Sequence, residues 1–215
     1  MKQNVLIILI LLCAAQVFAQ NGVINEFTGT VELKHAGQAD FIPAKSGDTV
    51  KKDTVISTGF KSTALVSVGN TVLTVRPLTR LTLAEISASA DSETLNINLQ
   101  TGRVRVDVKP PAGTKASTTV SSPTVTASVR GTSFEFDTKK LNVLEGTVAF
   151  AGKQGGPMMV SAGSTSEVRD NGRVADPIET YAAELLPPPV AGSDSGFRSG
   201  GSVFLGEFII ELILE

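Results

Sequence analysis

"SSPTVTASVRGTSFEF", residues 121–136, is the stretch on which the interpretation of this chain depends. Its composition is typical of a β-strand, but an Arg-Gly-Thr triplet lies in the middle of it. Val125 and Val129 share one parity, whereas Phe134 and Phe136 share the other. Because successive side chains of a strand point to opposite faces, the apolar face must change sides within this stretch.

Two interpretations of the triplet follow. In the first it is a fold device: Gly131 permits a bulge or kink, and Arg130 holds the bend by bonding to loop carbonyls or a carboxylate. In the second it is a recognition site, where Arg130 offers its guanidinium to a carboxylate of a partner or to a glycan. We favour the fold device. The candidate structural or interaction residues are Arg130, Gly131, Thr132 and Phe134.

The surrounding sequence predicts an all-β domain over residues 22–175. Short segments rich in Val, Thr, Leu and Phe alternate with Gly, Asp, Asn and Pro, and "VGNT" at 68–71 is typical of a hairpin turn. The pattern Gly-x-Val-x-apolar recurs at Gly29, Gly102 and Gly146, which indicates a repeated unit of glycine turn and strand. A rolled sheet, a sandwich or a short β-solenoid would each fit this single domain.

The first 19 residues have the pattern of a secretory signal peptide. Lys2 precedes an apolar run of about eleven residues, too short for a spanning helix of roughly twenty, and a cleavage site follows Ala19. We therefore expect a periplasmic or secreted protein of the bacterial cell envelope without an integral membrane span. The one cysteine, Cys13, lies in the segment to be removed, so we expect neither a disulfide nor thiol chemistry in the mature protein.

The C-terminal region differs in composition from the β domain. Residues 176–202 form a Pro/Gly/Ser-rich linker that has room for a short helix, and residues 203–215 form an apolar segment. The three glutamates of that segment are spaced by four, which fits one face of either a helix or a strand. Docking on its own or a neighbouring domain, a protein partner and membrane association all remain as roles for this segment.

Composition argues against several functional classes. The formal net charge of −2, with no clustered basic region, argues against nucleic-acid binding. His35 is the only histidine and the carboxylates are dispersed, so the sequence predicts no metal site, no cofactor and no catalytic residues. The protein is therefore predicted not to be an enzyme.

The order of motifs resembles the FecR-like domain. "DTVISTGFKSTALVSV" precedes "SVRGTSFEF", and "VLEGTVAF" follows; the resemblance extends over roughly residues 27–170. It implies an extracytoplasmic, non-catalytic β domain. In the namesake regulators of the family, such a domain follows a cytoplasmic anti-sigma segment and a membrane helix. Because the present chain opens with a signal peptide, we do not expect it to contact a sigma factor.

These observations favour a protein-interaction or scaffolding module whose partner is an unidentified envelope protein. One alternative is a module that binds peptidoglycan or another polysaccharide, although the absence of Trp and the single Tyr make a sugar-binding platform less favoured. The other alternative is a ligand-sensing component of an envelope signalling pathway that works through a separate membrane protein.

Overall fold

The computed structural model of the chain describes residues 21–88, 92–110, 113 and 115–177. These residues form 17 β-strands. The strands are β1 (Gly22–Thr28), β2 (Val31–Lys34), β3 (Ile42–Pro43), β4 (Thr49–Val50), β5 (Val55–Thr58), β6 (Thr63–Val68), β7 (Thr71–Val75), β8 (Arg80–Ala88), β9 (Ser92–Thr101), β10 (Arg103–Val108), β11 (Lys115–Ser121), β12 (Val125–Val129), β13 (Ser133–Asp137), β14 (Lys140–Glu145), β15 (Thr147–Gly152), β16 (Met158–Ser161) and β17 (Thr165–Glu167).

The strands build two open sheets, which confirms the all-β prediction. Sheet A has eight strands in the order β17-β14-β13-β10-β7-β6-β1-β4, and sheet B has nine in the order β16-β15-β12-β11-β9-β8-β5-β2-β3. Neighbours are antiparallel except for β9 and β11, which are parallel. Apart from β4 and β3, which lie outside β1 and β2 at one edge, both orders advance with the chain. The polypeptide therefore alternates between the sheets as it progresses from that edge to the other.

One hydrophobic core lies between the sheets. Residues on alternate positions of most strands are buried, and those from both sheets belong to a single apolar cluster. The rings of Phe136 in sheet A and Phe150 in sheet B meet edge to face, with centroids 6.1 Å apart. The architecture is therefore a two-sheet sandwich, in which each sheet exposes its other face.

Glycines lie at four of the corners where the chain crosses between sheets. Gly29, Gly102, Gly131 and Gly146 each have φ between 71° and 86°, a backbone conformation that residues with a Cβ rarely adopt. Three of them are the glycines of the recurring sequence pattern, so the predicted repeat corresponds to a repeated corner.

Two of these corners share one hydrogen-bonding arrangement. Gly29 packs against Ser62, and Gly102 packs against Thr79. In each case the N–H after the glycine donates to the hydroxyl oxygen, over 2.8 Å at Ser62 and 2.9 Å at Thr79. The hydroxyl oxygen thus accepts a backbone N–H that has no partner strand where the chain crosses between the sheets.

The opening stretch was expected to be one bent strand, and this expectation is wrong. Residues 125–129 form β12 in sheet B, and residues 133–137 form β13 in sheet A. The apolar parity changes because the core lies on opposite sides of the two sheets. "LNVLEGTVAF" is likewise two strands, β14 and β15, that cross between sheets at Gly146.

The hairpin predicted at 68–71 is confirmed. β6 and β7 pair across Gly69 and Asn70, and Gly69 has φ of 54°. The carboxylate of Glu93, which is buried, accepts the backbone N–H of Asn70 and also its side-chain amide, the latter over 2.8 Å. A residue of sheet B therefore fixes a turn of sheet A.

The signal peptide at 1–19 with cleavage after Ala19, most of the linker and the apolar segment at 203–215 lie outside the described residues. Within the described residues, no helix is both long enough and apolar enough to span a membrane.

Candidate functional site

The Arg130–Thr132 triplet forms the corner between β12 and β13. Gly131 has φ of 71°, and the Thr132 carbonyl accepts the N–H of Val108 over 2.9 Å, which joins the corner to β10. Phe134 is fully buried and belongs to the core. The structural part of the signature is therefore carried by Gly131, Thr132 and Phe134.

Thr132 packs against Gly146 as Thr79 packs against Gly102, but the two side chains are oriented differently. Its methyl group faces Gly146, where a Cβ would approach it to 2.6 Å. Its hydroxyl is buried and has no hydrogen-bond partner among the described residues. Thr132 thus fills the corner by packing.

Arg130 does not have the role expected of it in the fold. Its side chain is exposed and makes no hydrogen bond or ion pair with any described residue. The predicted bond to a loop carbonyl or carboxylate is therefore absent from this part of the chain. The guanidinium of Arg130, which has no partner among the described residues, can bind an incoming group.

A shallow groove of about 360 Å³ begins at Arg130 and crosses the outer face of sheet B. It runs over β11, β12, β15 and β16, whose residues Thr119, Ser128, Ala149 and Met159 are successive cross-strand neighbours. The remaining lining residues are Ser117, Val129 and Thr147.

The chemistry of the groove follows from the sizes of these side chains. Small Ser, Thr and Ala side chains form its floor, and the longer side chains of Arg130 and Met159 also line it. The guanidinium is the only charged group that lines it in the described residues. Such a lining offers hydroxyl groups along its length and a planar donor pair for a carboxylate at one end.

The groove ends at an open edge of sheet B. β16 pairs with β15 and with no other described strand. Met159 on this strand has 62% of its surface exposed. Methionine adapts its shape to irregular apolar surfaces, and an exposed one on an edge strand is typical of contact surfaces.

The backbone of β16 also points outward at Met159. The N–H of Ala162 donates to the Gly146 carbonyl over 2.9 Å, so in this antiparallel ladder Val160 is the next residue that bonds to β15. The N–H and C=O of Met159 therefore point away from β15. This edge can accept one more strand.

A partly exposed ion pair fixes the start of β13 and with it the Arg130 corner. Arg105 and Asp107 lie two residues apart on the outer face of β10, and the guanidinium donates to both carboxylate oxygens over 3.1 Å. The Ser133 hydroxyl, directly across on β13, donates to the same carboxylate. The first residue after the corner is thus held by a charge-assisted hydrogen bond.

Burial alone would raise the pKa of Asp107, but the hydrogen bonds from Arg105 and Ser133 outweigh it and lower the pKa below its ordinary value. A carboxyl group whose pKa is lowered by folding stabilises the folded state above its unfolded pKa. That stabilisation is lost as the pH falls through the folded pKa.

We expect Asp107→Asn to lower the free energy of unfolding by about 1–2 kcal/mol at pH 7, because the ionised acceptor of two side chains is lost. The difference from the unsubstituted protein should shrink as the pH falls below the ordinary carboxyl value of 3.8. Urea unfolding at a series of pH values measures this difference in the free energy of unfolding. Asp40→Asn is the control, since Asp40 is exposed and has no partner among the described residues. A difference that stayed constant from pH 7 to pH 2 would contradict the role of the carboxylate.

Other chemistry-bearing residues stay dispersed. His35 lies just after β2, in a turn, and is half-buried. Within the described residues, no group of three or more His, Cys, Asp or Glu is close enough to hold a metal ion.

The sequence singled out Arg130 but missed Met159 and the hydroxyl residues of the groove. Those hydroxyls come from strands that are up to 30 positions apart in the chain, so no local pattern joins them. The one available signal was "PMMVS" after Gly155 and Gly156, a short strand-like run with two methionines.

Comparison with known proteins agrees with the motif order. Residues 54–149, from the residue before β5 to within β15, match the model of the family described as FecR protein. Two crystal structures of a candidate anti-sigma factor from Parabacteroides distasonis ATCC 8503, at 2.50 and 1.65 Å resolution, have TM-scores of 0.46 and are 18% and 17% identical. The similarity covers 60% of the present chain and 62% and 64% of those chains, less than two thirds of their length. No curated protein matched.

The family match includes the corner, its Asp107 support and the floor of the groove, from Ser117 to Ala149. It confirms the resemblance drawn from the motifs. Residues 54–149 therefore match a FecR domain, and the Arg130–Thr132 corner lies within that match.

Proposed function

We propose that this protein is an exported, non-catalytic interaction module of the bacterial cell envelope, and that it binds an extended segment of another envelope protein at the β16 edge. The observation that carries the proposal is the combination of an outward-facing backbone at Met159 with a guanidinium at Arg130 that has no partner among the described residues, joined by one groove.

Strand addition supplies the affinity in this account. An added strand would bond to the outward N–H and C=O of Met159, and alternate side chains of the partner would lie on the outer face of sheet B. The Met159 side chain would be covered in the process, which removes apolar surface from water.

Arg130 supplies selectivity. A carboxylate of the partner can accept two parallel hydrogen bonds from its planar group, a geometry that a lysine cannot reproduce. The floor of small hydroxyl side chains lets the partner approach closely and adds neutral hydrogen bonds. This lining suits binding, because it contains no pair of groups that could serve as nucleophile and base.

In-cell cross-linking of the full-length tagged protein tests this proposal. A photo-reactive residue at position 159 should capture one discrete protein, which mass spectrometry then identifies. The same probe at position 42 is the matched control, because Ile42 is also an exposed apolar residue (41%) and lies on the opposite edge strand β3. We expect Arg130→Glu to reduce the cross-link at 159 at least tenfold, since the charge that attracts the carboxylate is reversed.

Three outcomes would contradict the proposal. Equal capture from positions 42 and 159 would show that the β16 edge is not selective. Recovery of peptidoglycan fragments alone would favour the polysaccharide-binding alternative. A protein partner that is lost on deletion of residues 201–215 but insensitive to Arg130→Glu would assign the contact to the C-terminal segment.

A further inference from the structure

We propose a second binding site, for an acidic polypeptide segment, in the charged cleft on the outer face of sheet A. The cleft has a volume of about 880 Å³, and Arg76 and Arg103 lie beside it. It is on the opposite sheet from the Arg130 groove, so the inference does not depend on the function proposed above.

The two arginines are direct neighbours across the end of the β7–β10 pair. The N–H of Arg76 donates to the carbonyl of Arg103 over 3.1 Å, which continues the register in which Val75 lies opposite Val104. Both valines face the core, so both arginines face outward, with Cβ atoms about 5 Å apart. Like charges placed directly opposite each other destabilise a sheet, so this pairing costs stability unless an anion lies between them.

The guanidinium groups are only partly neutralised within the protein. Arg76 donates its Nε to Glu135 over 3.1 Å, and its two Nη atoms have no partner among the described residues. The nearest approach of Arg103 to a carboxylate is 3.7 Å, from Nη2 to Asp137, which is too long for a hydrogen bond. Each arginine thus retains donors for an incoming oxyanion.

Two of the three carboxylates that line the cleft lie deeper than the arginines, and the third, Glu167, is exposed. Side-chain exposure is 23% for Glu135 and 28% for Asp137, against 43% for Arg76 and 55% for Arg103. Asp137 is further occupied, because one oxygen accepts the backbone N–H groups of the two residues that follow Thr138, over 2.8 and 2.7 Å. A ligand that approaches Arg76 and Arg103 therefore meets their positive charge before it meets Glu135 and Asp137.

The shape of the cleft favours a polypeptide over a small anion. Gly102 and Pro77 contribute to its lining, and the cleft is wide and open. A small anion would stay largely solvated there and gain little from binding. An extended chain with acidic residues at alternate positions places its carboxylates about 7 Å apart on one face, which allows one carboxylate for each arginine.

Titration of the purified full-length protein with the synthetic peptide acetyl-Gly-Glu-Gly-Glu-Gly-Glu-Gly-amide tests the proposal by calorimetry. We expect binding at low salt that weakens as the ionic strength rises, because the charges are exposed. The double variant Arg76→Gln, Arg103→Gln should bind at least tenfold more weakly. Arg103→Lys should give an intermediate affinity, since it keeps the charge but loses the fork of donors.

Lys115→Gln is the matched control for the single variant Arg103→Gln, because both remove one positive charge. Lys115 is exposed and lies beside Ser92, roughly 30 Å along β9 from the cleft. The affinity of the Lys115→Gln variant for the peptide should equal that of the unsubstituted protein. Thermal midpoints of all variants show that each is folded.

The proposal would be overturned if the folded double variant or Arg103→Gln bound the acidic peptide as tightly as the unsubstituted protein. It would be overturned equally if a matched lysine peptide bound as well as the glutamate peptide. Binding of inorganic pyrophosphate without any binding of the acidic peptide would also refute it, because the ligand would then be a small oxyanion.

Discussion

Phe136→Ala is expected to lower the free energy of unfolding by about 3–5 kcal/mol, the range for loss of a buried aromatic side chain. Phe136 is fully buried on β13, and its ring meets Phe150 of the other sheet edge to face. The substitution removes a ring that contacts both sheets. It leaves a cavity that the surrounding strands can fill only partly by relaxing. Chemical denaturation of the purified domain measures the loss.

Phe60→Ala is the matched control for this prediction. Phe60 has 73% of its surface exposed, and its main neighbour is the ammonium of Lys61, 5.6 Å from the ring centroid. We expect a loss below about 1 kcal/mol. Similar losses for the two phenylalanines would show that the core does not lie between the sheets as described.

Gly102→Ala should cost about 3 kcal/mol or more. Two effects add: the residue has φ of 86°, which costs about 1–2 kcal/mol once a Cβ is present, and that Cβ would lie 2.5 Å from Thr79 Cα and 2.7 Å from the Leu78 carbonyl oxygen. Both contacts are with backbone, so no side-chain rotation relieves them. The thermal midpoint should fall by about 6–12 °C.

A graded series separates the two effects. Gly37 has φ of 77° but nothing within 4 Å of an added Cβ, so Gly37→Ala should show the backbone cost alone. Gly131→Ala should fall between the two, because its nearest contact is Pro110 at 3.4 Å. Equal losses at all three positions would contradict the tight corner packing at Gly102.

The sequence predicted the β class and the repeated glycine corner, because both depend on local patterns. It did not predict which sheet each strand would join. The change of parity between Val129 and Phe134 is visible in the sequence, but a bulge within one strand and a crossing between two sheets produce the same pattern. Only the pairing of β13 with β10 decides between them.

Short and polar strands were the hardest to predict. β11, residues 115–121, consists mainly of small polar side chains and alanine, and its parallel pairing with β9 adds no turn signal. β16 has only four residues. These two strands carry part of the floor and one end of the groove, so the candidate site could be predicted only at Arg130.

The charged cleft could not be predicted for the same physical reason. Arg76 and Arg103 are 27 positions apart; Arg76 precedes a turn-like sequence that begins at Pro77, whereas Arg103 follows the turn residue Gly102. Their adjacency depends on the register between β7 and β10, which the sequence does not show. The alternation of apolar and polar residues indicated that both arginines would face solvent, but not that they would lie side by side.

Amide hydrogen exchange across β16 tests the central claim most directly. In the free full-length protein, the Met159 N–H should exchange rapidly. The N–H of Val160, which bonds to β15, and the N–H of Ala162, which bonds to the Gly146 carbonyl, should be protected. Addition of the protein captured from position 159 should then protect Met159. Protection of Met159 equal to that of Val160 in the free protein would show that the edge is already occupied, and would contradict the proposal that it receives a partner strand.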